Sequence, residues 1–174
     1  MKNHFELFAL PHRYTLDRPA LDARYRDLQR SVHPDRYASA GEQERRLSVQ
    51  QAAHINDAYQ TLIDPLRRAR YLLELQGITM DEQGTHQDPE FLMRQMELRE
   101  ALAGVRGEAD PLAALDRLAR EIDEEYRALE AELATELDAG GDLARAVTLV
   151  QEMQFFTRLL NEAQELEADL EDQY

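Results

Sequence analysis

Cysteine is absent from this sequence of 174 residues. A chain without cysteine forms no disulfide, offers no thiolate to a metal and has no cysteine nucleophile. The sequence also lacks an apolar run of about 18 residues, which a membrane-spanning helix requires, and it lacks the basic-then-apolar start of a signal peptide. These absences are typical of a soluble intracellular protein in a reducing compartment. We therefore expect a cytoplasmic protein that makes no contact with a membrane.

Further absences argue against an enzyme. The sequence has no glycine-rich phosphate loop and no serine in a recognisable nucleophile motif. A histidine close to a carboxylate, such as His33 near Asp35, could act as a base. The other histidines are scattered along the chain, at His4, His12, His54 and His86. Isolated surface or capping histidines are the simpler interpretation, so we predict no catalytic residue, no metal site and no cofactor.

Charge is unevenly distributed between the two halves of the chain. The formal net charge is −15. Residues 1–87 carry twelve basic and twelve acidic side chains, whereas residues 88–174 carry eight basic and twenty-three acidic ones. Such an asymmetry suggests two modules with different partners. A surface this acidic repels phosphate backbones, which argues against nucleic-acid binding.

The periodicity of apolar residues predicts an all-α protein with two units and no strands. Aspartate caps followed by proline mark helix starts at Asp17, Asp64, Asp88 and Asp110, and Asp142 caps the last helix. We predict a first domain of short and medium helices at residues 1–77, a linker at 78–87, and a three-helix bundle at 88–174. The bundle follows from long apolar repeats joined by short turns.

The predicted helix that starts at Asp88 carries two apolar stripes. A core stripe contains Phe91, Leu98, Leu102 and Val105, at positions that share one face. Another stripe, formed by Leu92, Met93 and Met96, projects elsewhere beside Glu97 and Glu100. On the last helix, Leu143, Val147 and Val150 define the expected core face, and Phe155 points about a third of a turn away from it. Exposed apolar residues often mark an interface, but packing against the first unit explains them equally well.

The tripeptide His33-Pro34-Asp35 lies between two predicted antiparallel helices. Proline disfavours the helical conformation of the residue before it, so His33 and Asp35 are expected on a short exposed loop. Arginines approach this loop from both sides, at Arg24, Arg26, Arg30 and Arg36. They form either an ordinary solvated face, offset by Asp22 and Asp27, or a basic docking strip.

Together these features resemble the J domain. The tripeptide is accompanied by Ile55-Asn56-Asp57-Ala58-Tyr59 and by Leu62, which follow in the second helix of the hairpin. Three further segments narrow the resemblance to the HscB family of J-type co-chaperones, which serve iron–sulfur cluster assembly: Phe5-Glu6-Leu7-Phe8, the segment from Pro65 to Leu73 and the segment from Phe91 to Glu100. This similarity covers nearly the whole chain.

The resemblance implies a partner for each unit. It implies that the tripeptide and the arginines around it engage the DnaK-type chaperone HscA and stimulate its ATPase. It also implies that the scaffold protein IscU is held by Leu92, Met93, Met96 and Phe155, with Glu97 and Glu100 beside them. Two alternatives remain: a general J-domain co-chaperone that delivers unfolded clients, and a non-catalytic helical adaptor.

Overall fold

The computed structural model describes residues 1–81 and 88–173. Across these two stretches the regular secondary structure is helical throughout, without a strand, so the all-α prediction is confirmed. The backbone divides into two compact units, Met1–Gly77 and Ile78–Tyr174. Most of the linker expected at 78–87, including His86, lies outside the described residues.

The first unit is built around a helical hairpin. Its helices are α1 (His4–Leu7), α2 (Arg18–Val32), α3 (Glu42–Ile63) and α4 (Pro65–Leu75), and a 3₁₀ turn, Pro34–Tyr37, lies between α2 and α3. Helix α3 packs against α1, α2 and α4. The largest fully buried side chains come from all four helices and the turn after α1: Phe5, Phe8, Leu21, Leu62 and Leu73. This small core fixes the angle at which α2 and α3 present the turn between them.

The second unit contains α5 (Pro89–Ala103), a 3₁₀ turn at Val105–Gly107, α6 (Pro111–Asp138) and α7 (Leu143–Glu171). Helix α6 packs along α7, and α5 packs against both. Three helices joined by short connections bury a common core, as in other bundles. The buried side chains of one continuous cluster are Phe91, Leu98, Val105, Leu115, Leu118, Ile122, Phe155, Phe156, Leu159, Ala163 and Leu170.

Aspartate caps start the helices where the sequence predicts. The carboxylate of Asp64 accepts the backbone N–H groups of Leu66 and Arg67 at 2.9 and 3.0 Å. The same type of bond is made by the caps of α2, α5, α6 and α7, which are Asp17, Asp88, Asp110 and Asp142. Each such cap satisfies backbone donors that the helix itself leaves unpaired.

Two expectations for α7 are wrong. Leu143, expected in the core, is 37% exposed. Phe155, expected outside the core face, is 2% exposed and belongs to the core cluster of the second unit. The reason is that α7 packs against both α5 and α6, so its buried arc is wider than a single-stripe reading allows.

Candidate functional site

The turn between α2 and α3 begins where proline prevents α2 from continuing. His33 leaves the helical conformation, with φ −60° and ψ 133°, and Pro34 starts the 3₁₀ turn. The turn is closed by the N–H of Arg36, which donates to the carbonyl of His33 at 3.0 Å. The first proposed site residues therefore lie on a short, hydrogen-bonded turn at the end of the hairpin.

The side chains of His33 and Asp35 are both solvent-exposed, at 58% and 92% of their reference areas. The Nδ1 atom of His33 accepts the backbone N–H of Asp35 at 3.2 Å. In the neutral ring the proton is then carried by Nε2, which becomes the donor. The carboxylate of Asp35 lies 3.5 Å from the same Nδ1.

Three of the four predicted arginines gather beside this turn. An open groove of about 710 Å³ is lined by Arg26, Gln29, Arg30, His33, Pro34, Arg36 and Ala52. We call it the cationic groove. It joins the exposed side of α2 to the start of the turn, and none of its lining residues carries a carboxylate. The structure thus brings Arg26, Arg30 and Arg36 together with His33 and Pro34.

Arg24 is placed differently from the other three arginines. Its guanidinium donates to the backbone carbonyls of Phe8 and Ala9, at 2.8 and 2.5 Å. Ala9 has φ 50°, a left-handed conformation that is uncommon outside glycine. Arg24 therefore fastens the turn after α1 onto α2 and does not line the cationic groove. Its inclusion in a docking strip is not supported by these contacts.

A polar network that the sequence did not reveal joins α2 to α3. The rings of Tyr25 and Tyr59 stack at 3.9 Å between centroids. The hydroxyl of Tyr25 donates to Asn56 at 3.0 Å, and that of Tyr59 donates to Asp22 at 2.8 Å. The bond from Tyr59, followed by one from Arg18, lowers the pKa of Asp22. A partly buried tyrosine needs a hydrogen-bond partner for its hydroxyl, so the two tyrosines were the sequence signal from which such a network could have been inferred.

On the second unit, α5 presents an apolar surface to solvent. Leu92, Met93 and Met96 are 41%, 64% and 65% exposed, as their positions on the helix predict. We call these three residues the α5 patch. Methionine side chains are flexible and polarizable, so they adapt to irregular partner surfaces. The α5 patch is therefore suited to a protein partner.

Phe155, predicted as part of that surface, lies in the core instead. Its ring makes edge-to-face contacts with Phe91 and Phe156, at centroid distances of 5.7 and 5.5 Å. The guanidinium of Arg99 lies 5.5 Å from the ring centroid and is bound to Glu162 at 3.0 Å. These groups cover the ring, so Phe155 packs beneath α5 and is not part of the exposed surface of that helix.

Glu97, predicted beside the patch, belongs to an ion-pair cluster that sequence reasoning missed. Arg94 donates to Glu97 at 3.2 Å and, across to α6, to Glu121 at 2.6 Å and to Glu125. The bond to Glu125, and then that to Glu121, raises the pKa of Arg94. Glu100 is exposed on the same helix. The cluster fixes α5 to α6 next to the patch.

The described stretches contain neither a cluster of metal-ligating side chains nor a membrane-spanning helix. No group of three histidine, cysteine or acidic side chains that could hold a metal ion occurs in residues 1–81 and 88–173. Within that same part of the chain, no helix is both long and apolar enough to cross a membrane. The cationic groove and the α5 patch each bring several of the predicted site residues together.

Comparison with known proteins identifies relatives along almost the full length. Residues 87–164 match the family model described as the HSCB C-terminal oligomerisation domain. A protein from Vibrio cholerae serotype O1, named as a co-chaperone HscB homologue, is 48% identical over 169 residues. That similarity covers 97% of this chain and 98% of the relative.

Solved structures give the same relationship. The chaperone HscB from Vibrio cholerae superposes with a TM-score of 0.87 at 46% identity, covering 97% of this chain and 99% of that one. The human co-chaperone HscB superposes with a TM-score of 0.88 at 27% identity, covering 96% of this chain and 83% of that one. Both halves of the fold, and not one domain alone, are shared with these proteins.

Proposed function

Because this chain belongs to the HscB family of J-type co-chaperones, we propose that it binds the iron–sulfur scaffold IscU, delivers it to the DnaK-type chaperone HscA and stimulates the ATPase of that chaperone. Its contribution is to aid cluster assembly and transfer by bringing two proteins together. The division of labour that we propose assigns the chaperone to residues 1–77 and the scaffold to residues 88–174, with 78–87 as the linker.

The observation that carries the proposal is the exposed His33-Pro34-Asp35 turn beside the cationic groove. A hydrogen-bonded turn holds His33 and Asp35 in solvent at the end of a hairpin. Arg26 and Arg30, one turn apart on α2, extend the positive charge away from the turn. Such a surface recognises an acidic face on a partner, since complementary charge guides encounter and fixes orientation.

The α5 patch supports the second half of the proposal. Burying an apolar side chain of this size is worth about 1.5–3 kcal/mol when burial is complete. Because Leu92, Met93 and Met96 are 41%, 64% and 65% exposed, each would contribute only part of that amount, and the three together would form the apolar centre of a contact with one folded protein. Glu97 and Glu100 would lie at the edge of that contact, and Phe155 would support α5 from beneath.

We infer that the chain acts without chemistry of its own. The relatives are named as co-chaperones and not as enzymes. The ATP that the proposed partner hydrolyses is abundant in the cytoplasm, so we place the complex there. The alternative of a general J-domain co-chaperone predicts capture of many unfolded clients in place of one scaffold.

The decisive experiment is a single-turnover ATPase assay of HscA with this chain and IscU, added separately and together. We expect each to stimulate hydrolysis, and the pair to stimulate it more than the sum of the two. The chain without HscA is the control and should hydrolyse no ATP. Lack of any effect of the chain on HscA would refute the proposal, and hydrolysis by the chain itself would revive an enzymatic role.

A further inference from the structure

The hydrogen-bond donors that line the cationic groove differ in how firmly they are engaged. Within the described part of the chain, the guanidinium groups of Arg26 and Arg36 make no hydrogen bond or ion pair. Arg30 reaches Asp27 at 3.7 Å, and both of these side chains are about three-quarters exposed, at 76% and 75%. A pair so exposed is weak and exchanges readily with other ions.

The carboxylates near the groove leave most of its positive charge available. Asp22, which feels the charge of Arg26, is already hydrogen-bonded by Tyr59 and Arg18. Asp35 lies 3.5 Å from Nδ1 of His33, but its side chain is 92% exposed and does not line the groove. Three guanidinium groups therefore surround one open space without a carboxylate on its walls.

The remaining walls suit the same kind of ligand. The backbone N–H of Asp35 occupies Nδ1 of His33, so Nε2 is the donor of the neutral ring. Gln29 has its amide engaged, because its Nε2 donates to the hydroxyl of Tyr25 at 2.7 Å. Pro34 and Ala52 add a small apolar surface. Arginine and the imidazole N–H thus dominate the polar lining.

We propose that the cationic groove is a binding site for a chain of phosphate groups, carried either by a nucleoside triphosphate or by inorganic polyphosphate. A guanidinium binds two phosphate oxygens with a planar fork of donors. One carboxylate satisfies one such fork, whereas linked phosphates present oxygens to several at once. Since this groove is also the proposed chaperone-docking surface, bound phosphate would compete with HscA; that consequence rests on the proposed function, but the binding does not.

The test titrates the full chain alone with tripolyphosphate and with magnesium-free ATP, by calorimetry at low and moderate salt. We expect both to bind and sulfate, which has a single tetrahedral centre, to bind at least tenfold more weakly. Equal affinity for tripolyphosphate and ATP supports recognition of the phosphate chain alone. Tighter binding of ATP supports the nucleotide as the ligand, with its base or sugar on Pro34 and Ala52. Absence of saturable binding of either compound overturns the proposal.

Substitutions locate the site. Removing one guanidinium, by Arg26→Ala or Arg36→Ala, should weaken binding about two- to fivefold, the range expected for an exposed charge pair. Arg36→Lys keeps the charge but loses the fork, and should recover part of that loss. The matched control is Arg13→Ala, which removes an exposed arginine of the same unit outside the groove.

Nuclear magnetic resonance of the His33 ring gives the second readout. Saturable shifts at His33, with the same midpoint as calorimetry, support binding in the groove. If Arg13→Ala and Arg36→Ala lose the same amount of affinity, or if the resonances of His33 do not shift during the titration, the phosphate ligand is attracted diffusely to arginine side chains. Either result would overturn the site. Because HscA is not present, failure here leaves the proposed co-chaperone function standing.

Discussion

Individual side chains of this protein do quite different work although they are close in sequence. Arg24, Arg26 and Arg30 lie within two helical turns, yet Arg24 fastens backbone carbonyls while the other two line the cationic groove. On α5, Phe91 is buried and its neighbours Leu92 and Met93 are exposed. Substitutions at these positions should therefore separate stability from binding.

His33→Gln should abolish the stimulation of the chaperone ATPase and leave the fold unchanged. The side chain is 58% exposed, so the core loses nothing when the ring is removed. Glutamine keeps a polar group but cannot place an imidazole N–H at the same point. The measurement is the single-turnover rate of HscA, with circular dichroism and a thermal melt of the variant as controls. A normal rate would exclude the J-domain mechanism, and a lower melting temperature would indicate a structural role.

Met93→Ala with Met96→Ala should weaken binding to the scaffold, while Phe155→Ala should destabilise the protein. The two methionines are 64% and 65% exposed, so their removal leaves no cavity. Phe155 is 2% exposed, and truncating a buried phenylalanine typically costs about 3–5 kcal/mol. Calorimetry with IscU and urea denaturation measure the two effects. An unchanged unfolding free energy for Phe155→Ala would contradict its place in the core.

At the scale of helices, the sequence predicted where elements begin far better than how they pack. The capping aspartates and the prolines after them act locally, so they can be read from neighbouring residues. Helical spacing alone predicted that Leu92, Met93 and Met96 project away from the core stripe of α5, but it left open whether the first unit covers them. The burial of Phe155 could not be predicted in this way, because it depends on the packing of both α5 and α6 against α7. The bonds of Arg24 to Phe8 and Ala9, and those of Arg94 to Glu121 and Glu125, join residues far apart in sequence, which no periodicity reveals.

Helix α1 should loosen as the pH falls, through His4. The ring of His4 stacks on Tyr71 at 4.2 Å, and burial, followed by the charge of His54, lowers the pKa of His4 below 6.5. Asp57 and Glu74 oppose this shift, and Arg67 adds to it. The unfolded chain then binds a proton at a higher pH than the folded chain does. The stability contributed by neutral His4 is present above pH 6.5 and is lost as the pH falls below it.

The measurement for His4 is urea denaturation at pH 7.5 and at pH 5.5. His4→Phe keeps the stacking on Tyr71 but removes the titrating group, so the variant should lose less stability than the parent between these two values. His12→Phe is the matched control, because it removes a histidine of the same unit whose side chain is about half exposed, at 49% of its area. A loss of the same size in the parent and in His4→Phe would contradict this account.

Arg94→Met should weaken the attachment of α5 to α6 by about 1 kcal/mol, the upper range for partly exposed ion pairs. The substitution leaves Glu97, Glu121 and Glu125 close together without their common cation, so they repel one another. Added salt screens that repulsion and should restore part of the stability. Melting temperatures at low and high salt measure the effect. Arg127→Met, which breaks one exposed pair with Asp123, is the control and should change little.

At the scale of the whole molecule, each unit carries one of the two proposed binding surfaces, and the excess of acidic side chains lies in the second half of the chain. Residues 1–87 are formally neutral, yet the cationic groove concentrates three arginines beside one turn. Residues 88–174 carry the excess of acidic side chains, yet their exposed methionines form an apolar patch. Net charge therefore says little about either contact, and the local chemistry of each surface decides how its binding responds to the solvent.

The two proposed complexes of the full chain should differ in their dependence on salt. Exposed charges are screened over about 10 Å at 0.1 M ionic strength and about 3 Å at 1 M, so affinity for HscA should fall steeply as salt is added. Burial of the α5 patch is an apolar contribution, so affinity for IscU should change much less. Calorimetry with each partner over the same salt series gives the two slopes.

Replacing Leu92, Met93 and Met96 together by alanine should remove binding to IscU and leave the HscA slope as it was, whereas Arg26→Ala should flatten the HscA slope and spare IscU. Equal slopes for both partners, or loss of both complexes in either variant, would mean that one surface serves both proteins, and the assignment of one partner to each unit would then be wrong.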